Sequence, residues 1–346
     1  MMQLGRFGVD TVRVAHDLKV PLPMGDEGYR RELAEHWTVN VRTERDEVLG
    51  LFESRTAFYQ DDDNSTIRAQ IQNAGRTVVA EYSVPRVLSG SILNTELASG
   101  EQTLDVTALL RAKLRGLTPG MGDVENTRFR RVDLAADIEA GEARPGLISA
   151  AAGFVVPGAR KITRNVFPGE TGRVTTQQLT FRGYDKGREL ENKTARMLAK
   201  LDHQEAEAVR AEMQRYRDAG TVRLELALTP KKTTLTEGDI MQGNIKWADV
   251  VEAGFRGGVL TIGGLDYIRR EVDGRADLTP QARNALIAFA VRYAELGEDG
   301  MQAAYTRATF YRQKKKFLDA GLRLDDVCSY SGDMDLRPVF ERVRAG

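Results

Sequence analysis

Arg128-Phe-Arg-Arg-Val-Asp-Leu-Ala-Ala-Asp-Ile138 alternates polar and apolar residues along its length. A period of two is that of a half-buried β-strand. Val132, Leu134, Ala136 and Ile138 form one face, and Arg131, Asp133, Ala135 and Asp137 the other. The first face needs packing partners. The second offers two carboxylates four residues apart. Three further stretches have the same build. In 78–83, Glu81 lies opposite Ala80 and Tyr82. In 179–184, Arg182 and Tyr184 lie opposite Phe181 and Gly183. In 221–228, Arg223 and Glu225 lie opposite Val222, Leu224, Leu226 and Leu228. If the four strands share a sheet, their polar faces merge into a cluster of carboxylates, arginines and one tyrosine. Hard, oxygen-seeking ions such as Mg²⁺ or Mn²⁺ suit such carboxylates, and arginines suit phosphate. A solvated sheet face with exposed cross-strand pairs has the same pattern, so periodicity alone leaves both readings open.

Working outward, strands are expected at 8–14, near 37–42, at 77–83, near 160–167, over 174–184 and at 221–228. Turn signals stand at 61–65 and at Pro168-Gly-Glu-Thr-Gly172. Helices are expected from Thr103 to about 115, over 191–218, over 236–252, over 279–296 with Thr279 as N-cap and Pro280 at the first helical position, and over 298–320. The fold class is therefore α+β with antiparallel sheets. The organisation is 1–230 as one domain and 231–346 as a mainly helical C-terminal region. No repeat of solenoid period and no low-complexity segment stands out. Trp37 and Trp247 are expected in the core.

The chain has 346 residues, 41% of them hydrophobic, enough for one large or two ordinary domains. Its 50 basic and 50 acidic residues cancel, so any nucleic-acid reading rests on local patches. The longest apolar runs, such as 148–157, are too short to span a membrane, and charged residues interrupt the first thirty positions. A soluble, cytoplasmic protein is the expectation. Cys328 is the single cysteine, which excludes a disulfide framework or a cysteine-cluster zinc site. The three histidines, His16, His36 and His203, are far apart, so no His-hydrophobe-His metal pair exists. Neither a phosphate-binding P-loop nor a Gly-x-Ser-x-Gly nucleophile elbow is present.

Several short words in these strands resemble one family in its own order. Arg131-Val-Asp-Leu-Ala-Ala-Asp137, Arg182-Gly-Tyr-Asp-Lys186 with Glu189, Arg223-Leu-Glu-Leu-Ala-Leu228, Val79-Ala-Glu-Tyr-Ser-Val-Pro-Arg-Val87 and Asp10-Thr-Val-Arg-Val14 are similar to strands of the filamentous-phage gene II/gene X replication initiators and the related Rep_trans-type plasmid initiators. Arg307-Ala-Thr-Phe-Tyr-Arg312 and Lys314-Lys-Lys-Phe-Leu-Asp-Ala-Gly321 resemble the phage-type tail. The resemblance implies two related ferredoxin-like halves of the kind found in HUH endonucleases. It implies a rolling-circle initiator that nicks one DNA strand and rejoins it.

By that resemblance Tyr184 is the nucleophile, with Lys186 and Glu225 assisting. Asp133 is the leading metal ligand, with Glu81 and Asp10 as partners, and the cofactor is Mg²⁺ or Mn²⁺. Arg131, Arg182 and Arg223 contact DNA, with Arg128, Arg130 and Lys186 completing a positive rim. The expected partners are a replication origin, single-stranded or supercoiled, and the host helicase and polymerase; a homodimer is allowed, and no membrane is involved. Tyr82, next to Glu81, is the reserve nucleophile. The competing reading is a non-catalytic DNA-binding or phage structural protein on the same fold. A third is a metal-dependent nuclease that uses water.

Overall fold

The computed structural model describes the chain apart from residues 1, 47–49, 61–66, 90–94, 153, 157–158, 160–161, 168–170, 199–200, 231–233, 256, 263–267, 269–271, 274, 276, 321, 323, 328–331 and 346. The tip of the expected 168–172 loop, the whole 61–65 turn and Cys328 thus lie outside the described residues.

The alternating stretches are strands of one sheet. The strands β1 (Gln3–Leu18), β2 (Thr38–Asp46), β3 (Gly50–Gln60), β4 (Ile67–Gln72), β5 (Thr77–Ser83), β6 (Val124–Glu139), β7 (Thr163–Phe167), β8 (Thr171–Thr175), β9 (Leu179–Asp185) and β10 (Thr221–Leu228) form a ten-stranded sheet. Their order is β2-β3-β4-β5-β1-β6-β10-β9-β8-β7, and every neighbouring pair is antiparallel. The helices bounded by described residues include α1 (Glu27–Leu33), α2 (Val84–Ser89), α3 (Gly100–Leu117), α4 (Arg144–Ala152), α5 (Lys186–Leu198), α6 (His203–Asp218), α7 (Glu237–Met241), α8 (Gly243–Gly254), α9 (Pro280–Ala304), α10 (Arg307–Asp319) and α11 (Arg337–Ala345). The chain is α+β with a large antiparallel sheet.

The two halves of the sheet share one topology. Counted outward from the centre, one half runs β1-β5-β4-β3-β2 and the other β6-β10-β9-β8-β7. Each starts with a 16-residue strand, crosses through a helix to the outer edge, and meanders back to its first strand. The registers repeat as well. Thr77-Val-Val-Ala-Glu81 in β5 matches Thr221-Val-Arg-Leu-Glu225 in β10, and Arg68 stands opposite Glu81 as Arg182 stands opposite Glu225. The sequence hides this duplication because the connections differ. A tight turn at Asn73–Gly75 joins β4 to β5, whereas α5 and α6 are inserted between β9 and β10.

The apolar face carries the main core. Tyr82 of β5 packs there, its hydroxyl 2.6 Å from Thr107 of α3. Phe154 stacks on Phe181 of β9 at 3.9 Å, and Trp247 of α8 meets Phe7 of β1 and Phe340 of α11. Trp37 is also buried. The expected helix 191–218 is two helices, α5 starting directly after β9 and α6 capped by Asp202. The expected strand 174–184 is broken by a turn at Thr176, whose hydroxyl and backbone N–H engage Leu179. Beyond residue 230 the chain is mainly helical, with a short β11 (Val259–Ile262) and β12 (Gly332–Asp335) ribbon that strand periodicity does not reveal. This part is not one packing unit. Trp247, Val251, Val339 and Phe340 belong to the main core, while Phe289, Tyr293, Phe310 and Phe317 of α9 and α10 build a second.

Gly183 shows how tightly α4 is seated on β9. A Cβ there would lie 2.7 Å from Ala151 Cβ and 2.9 Å from Leu224 Cδ2. Gly183→Val should therefore overpack the contact and cost about 1–3 kcal/mol, read as a lower urea midpoint; an unchanged midpoint would place α4 elsewhere.

Candidate active site

Cross-strand register assembles the polar residues on one face of the second half. Arg182 of β9 is opposite Glu225 of β10, and Tyr184 is opposite Arg223. Arg223 is in turn opposite Asp137 of β6, and Ala227 opposite Asp133. Directly opposed residues point to the same side, so these strands do share the face that their alternation anticipates. The face is not a solvated one. Asp10, Asp133, Asp137, Lys186, Arg223 and Glu225 are all buried, and Arg223 and Lys186 have no exposed surface.

The cover comes from α5 and α6, which pack over β9 and β10 around a small apolar cluster of Leu190 and Tyr216. Gly187 lets the two helices approach: a Cβ would sit 3.2 Å from the Arg217 backbone. Beneath them, Arg223 donates from Nε and Nη2 to the two oxygens of Asp137 at 2.6 and 2.8 Å. The planar guanidinium fork matches the carboxylate. Its Nη1 lies 3.8 Å from Asp10 Oδ2 and makes no hydrogen bond among the described residues. The Tyr216 hydroxyl is 2.9 Å from the Thr95 carbonyl oxygen and 3.3 Å from Asp137 Oδ2. A β-bulge sets Asp10. Val9 pairs with Leu134 and Thr11 with Asp133, leaving Asp10 as the extra residue.

Tyr184 sits at the end of β9 and lines an open cavity of about 270 Å³ with Thr171, Arg182, Asp185, Arg188, Glu189 and Asn192. Its hydroxyl donates to Glu225 Oε2 at 3.4 Å. The Arg182 guanidinium lies 5.3 Å from the ring centre and the Lys186 ammonium 6.0 Å, within reach of the ring's negative face. Arg182 is hydrogen-bonded to Glu225 Oε1, and Lys186 is ion-paired with Glu189 at 2.7 Å. Burial, with Glu189 and Glu225 adding to it, holds the Tyr184 phenol well above its ordinary pKa of 10. Burial and the adjacent Arg223 push the Lys186 ammonium below its usual range. The phenol is thus protonated at neutral pH and needs a base to react; Glu225 is the carboxylate in contact with it.

The acids partition differently from the expected ligand set. Arg131 grips Asp133 through Nε at 2.7 Å and Nη2 at 2.5 Å. Burial raises the Asp133 pKa well above the usual carboxylate range, and Glu225 and Asp10 push it the same way. Glu225 and Asp10 are therefore the acids in electrostatic reach of Asp133. Glu81 instead pairs with Arg13 at 3.4 Å, with β1 between it and β6. Among the described residues no group of three such side chains converges at metal-binding distance.

Other expectations shift too. Arg223 and Lys186 are interior, so they cannot belong to a positive rim. Lys186 opens α5 and does not continue the strand. Tyr184 lies within the sheet, with β8 and β7 beyond β9, and its opening is at the strand end. Tyr82 lies on the opposite, apolar face from Glu81, as alternation demands, so the reserve nucleophile cannot reach the acids. Asp137, expected beside Asp133 on the polar face, instead pairs with Arg223; Tyr216 and the α5–α6 cover were missing from the expected site, and only the unusual Arg-x-Glu on an otherwise apolar strand hinted at a paired interior arginine.

No protein-family model matches the chain, and a search of curated proteins gives no match. Among the described residues no helix is long and apolar enough to cross a membrane.

The Arg223–Asp137 pair makes a direct test of this burial. Removing one partner strands the other charge in the interior, so Arg223→Met should cost about 3–5 kcal/mol. Arg223→Met combined with Asp137→Leu should cost much less than the sum of the single changes. Additive losses in urea denaturation would show that the two groups do not form a buried pair.

Proposed function

We propose that the chain nicks and rejoins a DNA strand through Tyr184, as a rolling-circle replication initiator does. The observation that carries this is the setting of Tyr184: a phenol at the mouth of a polar cavity, in contact with one carboxylate and flanked by Arg182 and Lys186. In the proposed reaction Tyr184 Oη attacks the phosphorus of a phosphodiester. The Oη–P bond forms as the P–O3′ bond breaks. The phenolic proton passes to Glu225, and the departing 3′-oxygen takes up a proton to become a primer-competent hydroxyl. The 5′-phosphotyrosine keeps the energy of the broken bond, so rejoining by a later 3′-hydroxyl needs no nucleotide. Activation of a weak nucleophile by an adjacent base is the general requirement, and Arg182 is placed to bind the non-bridging oxygens.

A divalent cation belongs to the same proposal, resting on three buried acids, Asp10, Asp133 and Glu225. Asp133 with Asp10 and Glu225 would hold Mg²⁺ or Mn²⁺ once the half-exposed Arg131 turns away. Such an ion supplies Lewis-acid polarisation of the phosphate. The relation of each five-stranded half to a ferredoxin-like, HUH-type unit is part of the same proposal, as are an origin as substrate, a host cytoplasmic location and the helicase and polymerase as partners. The alternative, a non-catalytic DNA-binding or structural protein, is favoured by one observation: Arg131 already neutralises Asp133.

The test does not depend on the origin sequence. A random-sequence pool of single-stranded oligonucleotides is incubated with the protein and Mn²⁺, and covalent adducts are resolved on a denaturing gel. An adduct should form, vanish on chelation, and vanish in Tyr184→Phe, whose thermal midpoint should barely change because only a long hydrogen bond is lost. An adduct in the Phe variant assigns another nucleophile; cleavage without adduct assigns water; neither product leaves the non-catalytic reading.

A further inference from the structure

The first half of the sheet repeats the register of the candidate site without its chemistry. Matching Thr77 to Thr221 and Glu81 to Glu225 puts Arg68 at the place of Arg182, Gln70 at that of Tyr184 and Gln72 at that of Lys186. Val79 then replaces Arg223, and Ala15 replaces Asp137. The nucleophile and the interior ion pair are both gone; Arg68 still stands opposite Glu81 in the register, but Glu81 pairs with Arg13 of β1 instead.

What replaces them is an open, basic face. Arg68, Glu81, Arg13 and Arg131 are aligned across β4, β5, β1 and β6. Arg13 is 48% exposed in its side chain and Arg131 33%. Arg128 pairs with Asp17 at 2.7 Å, and Arg130, the bulge residue of β6, reaches across to Gln72 Oε1 at 3.4 Å. Ala15 and Val79 are buried on this otherwise polar face. Five arginines thus face three acids, Asp17, Glu81 and Asp133, and Arg68 makes no ion pair among the described residues. Beside them Phe58, opposite Gln70 on the same side, is 43% exposed. Among the described residues no α-helix packs extensively on β3 or β4.

We infer that this face is a nucleophile-free copy of the site that binds single-stranded DNA, with Arg68, Arg13 and Arg130 on phosphates and Phe58 stacking on a base. Basic groups interleaved with an exposed aromatic are the composition of a single-strand platform. A duplex has no free base face to offer Phe58. The face adjoins the candidate site: β4 and β9 are five strand spacings apart, about 24 Å, a length that a few nucleotides span. Asp133 and Arg131 lie between the two. A strand held on the first half would therefore lead toward Tyr184. This inference rests on the proposed DNA substrate, but not on Tyr184 being the nucleophile.

The test uses the full chain carrying Tyr184→Phe, without metal, so that binding is read apart from chemistry. The probe is a fluorescein-labelled 20-nucleotide oligothymidylate, followed by anisotropy from about 50 to 200 mM salt. Phe58→Ala and Arg68→Ala should each weaken binding by about tenfold. Arg68→Ala should also lower the salt slope by about 0.7, the loss of one single-strand phosphate contact. Photocrosslinking of a 4-thiothymidine oligonucleotide to protein with residues 58 and 68 unchanged should label the peptide containing Phe58, which guards against a folding effect of the substitutions. Unchanged affinity in both variants, crosslinks confined to β8 and β9, or tighter binding of a 20-base-pair duplex would overturn the inference. Failure of the covalent adduct with these binding losses intact would instead remove Tyr184 as nucleophile and leave the face assigned.

Discussion

The pairing of β1 with β6 is the constraint from which the rest follows. These are the longest strands, and they run antiparallel over fourteen residue pairs. Two five-stranded halves joined this way turn the same side outward, which is why Glu81 and Glu225 emerge on one face. The pairing also brings Thr11 against Asp133 and Arg13 against Arg131, so residues from one half complete the surroundings of the other. The bulge at Asp10 is part of this junction. It delivers a carboxylate from β1 to Arg223 on β10, although β6 runs between them.

A continuous polar face then has two fates. Over the second half α5 and α6 exclude water, and each charge needs a partner because an isolated buried ion is costly. Arg223 finds Asp137, Lys186 finds Glu189, and Arg182 finds Glu225. Such a network adds little net stability, but it fixes side chains in one geometry, as a preorganised site requires. Over the first half the arginines lie against solvent, where ion pairs contribute at most about 1 kcal/mol each and can be exchanged for a ligand. The same residue types are structural under the helices and available in the open.

Alternation made the sheet legible. β5 and β10 have the bounds that their β-branched, period-two sequences suggest, and the faces of β6, β9 and β10 fall as read. Strand β3 was not legible, because 50–60 mixes Arg, Gln, Glu and Thr with apolar residues; β4, Ile67-Arg-Ala-Gln-Ile-Gln72, does alternate, but it is short and directly follows a polar turn signal. Helix breaks were also missed where a new N-cap, Asp202, or a second helix start, Gly243 after the short α7, lies inside an apparently continuous periodic run. For the site, alternation could put Tyr184, Glu225 and Asp133 on polar strand faces, whereas Asp10, the extra residue of a bulge, came only from the family resemblance. It could not say that Arg223 is interior or that Glu81 stands two strands from Asp133, because strand order is a long-range property. The fifty-fifty charge balance hid the basic face for a similar reason: the acids that cancel it lie elsewhere on the fold.

The difference between the halves reduces to one connection. At β4–β5 the chain turns within Asn73–Gly75, which leaves no material to cover the strand ends. A tyrosine in place of Gln70 would stand there with Val79 and Ala15 where the second half has Arg223 and Asp137. It would have neither the buried guanidinium that favours a phenolate nor helices to exclude competing water. At β9–β10 the inserted α5 begins at Lys186, immediately beyond Asp185, so the same insertion that covers the site also supplies its ammonium. Fold duplication gives two equivalent places on one face; the length of a single connection decides that only one of them can be a covered, charge-paired pocket around a phenol.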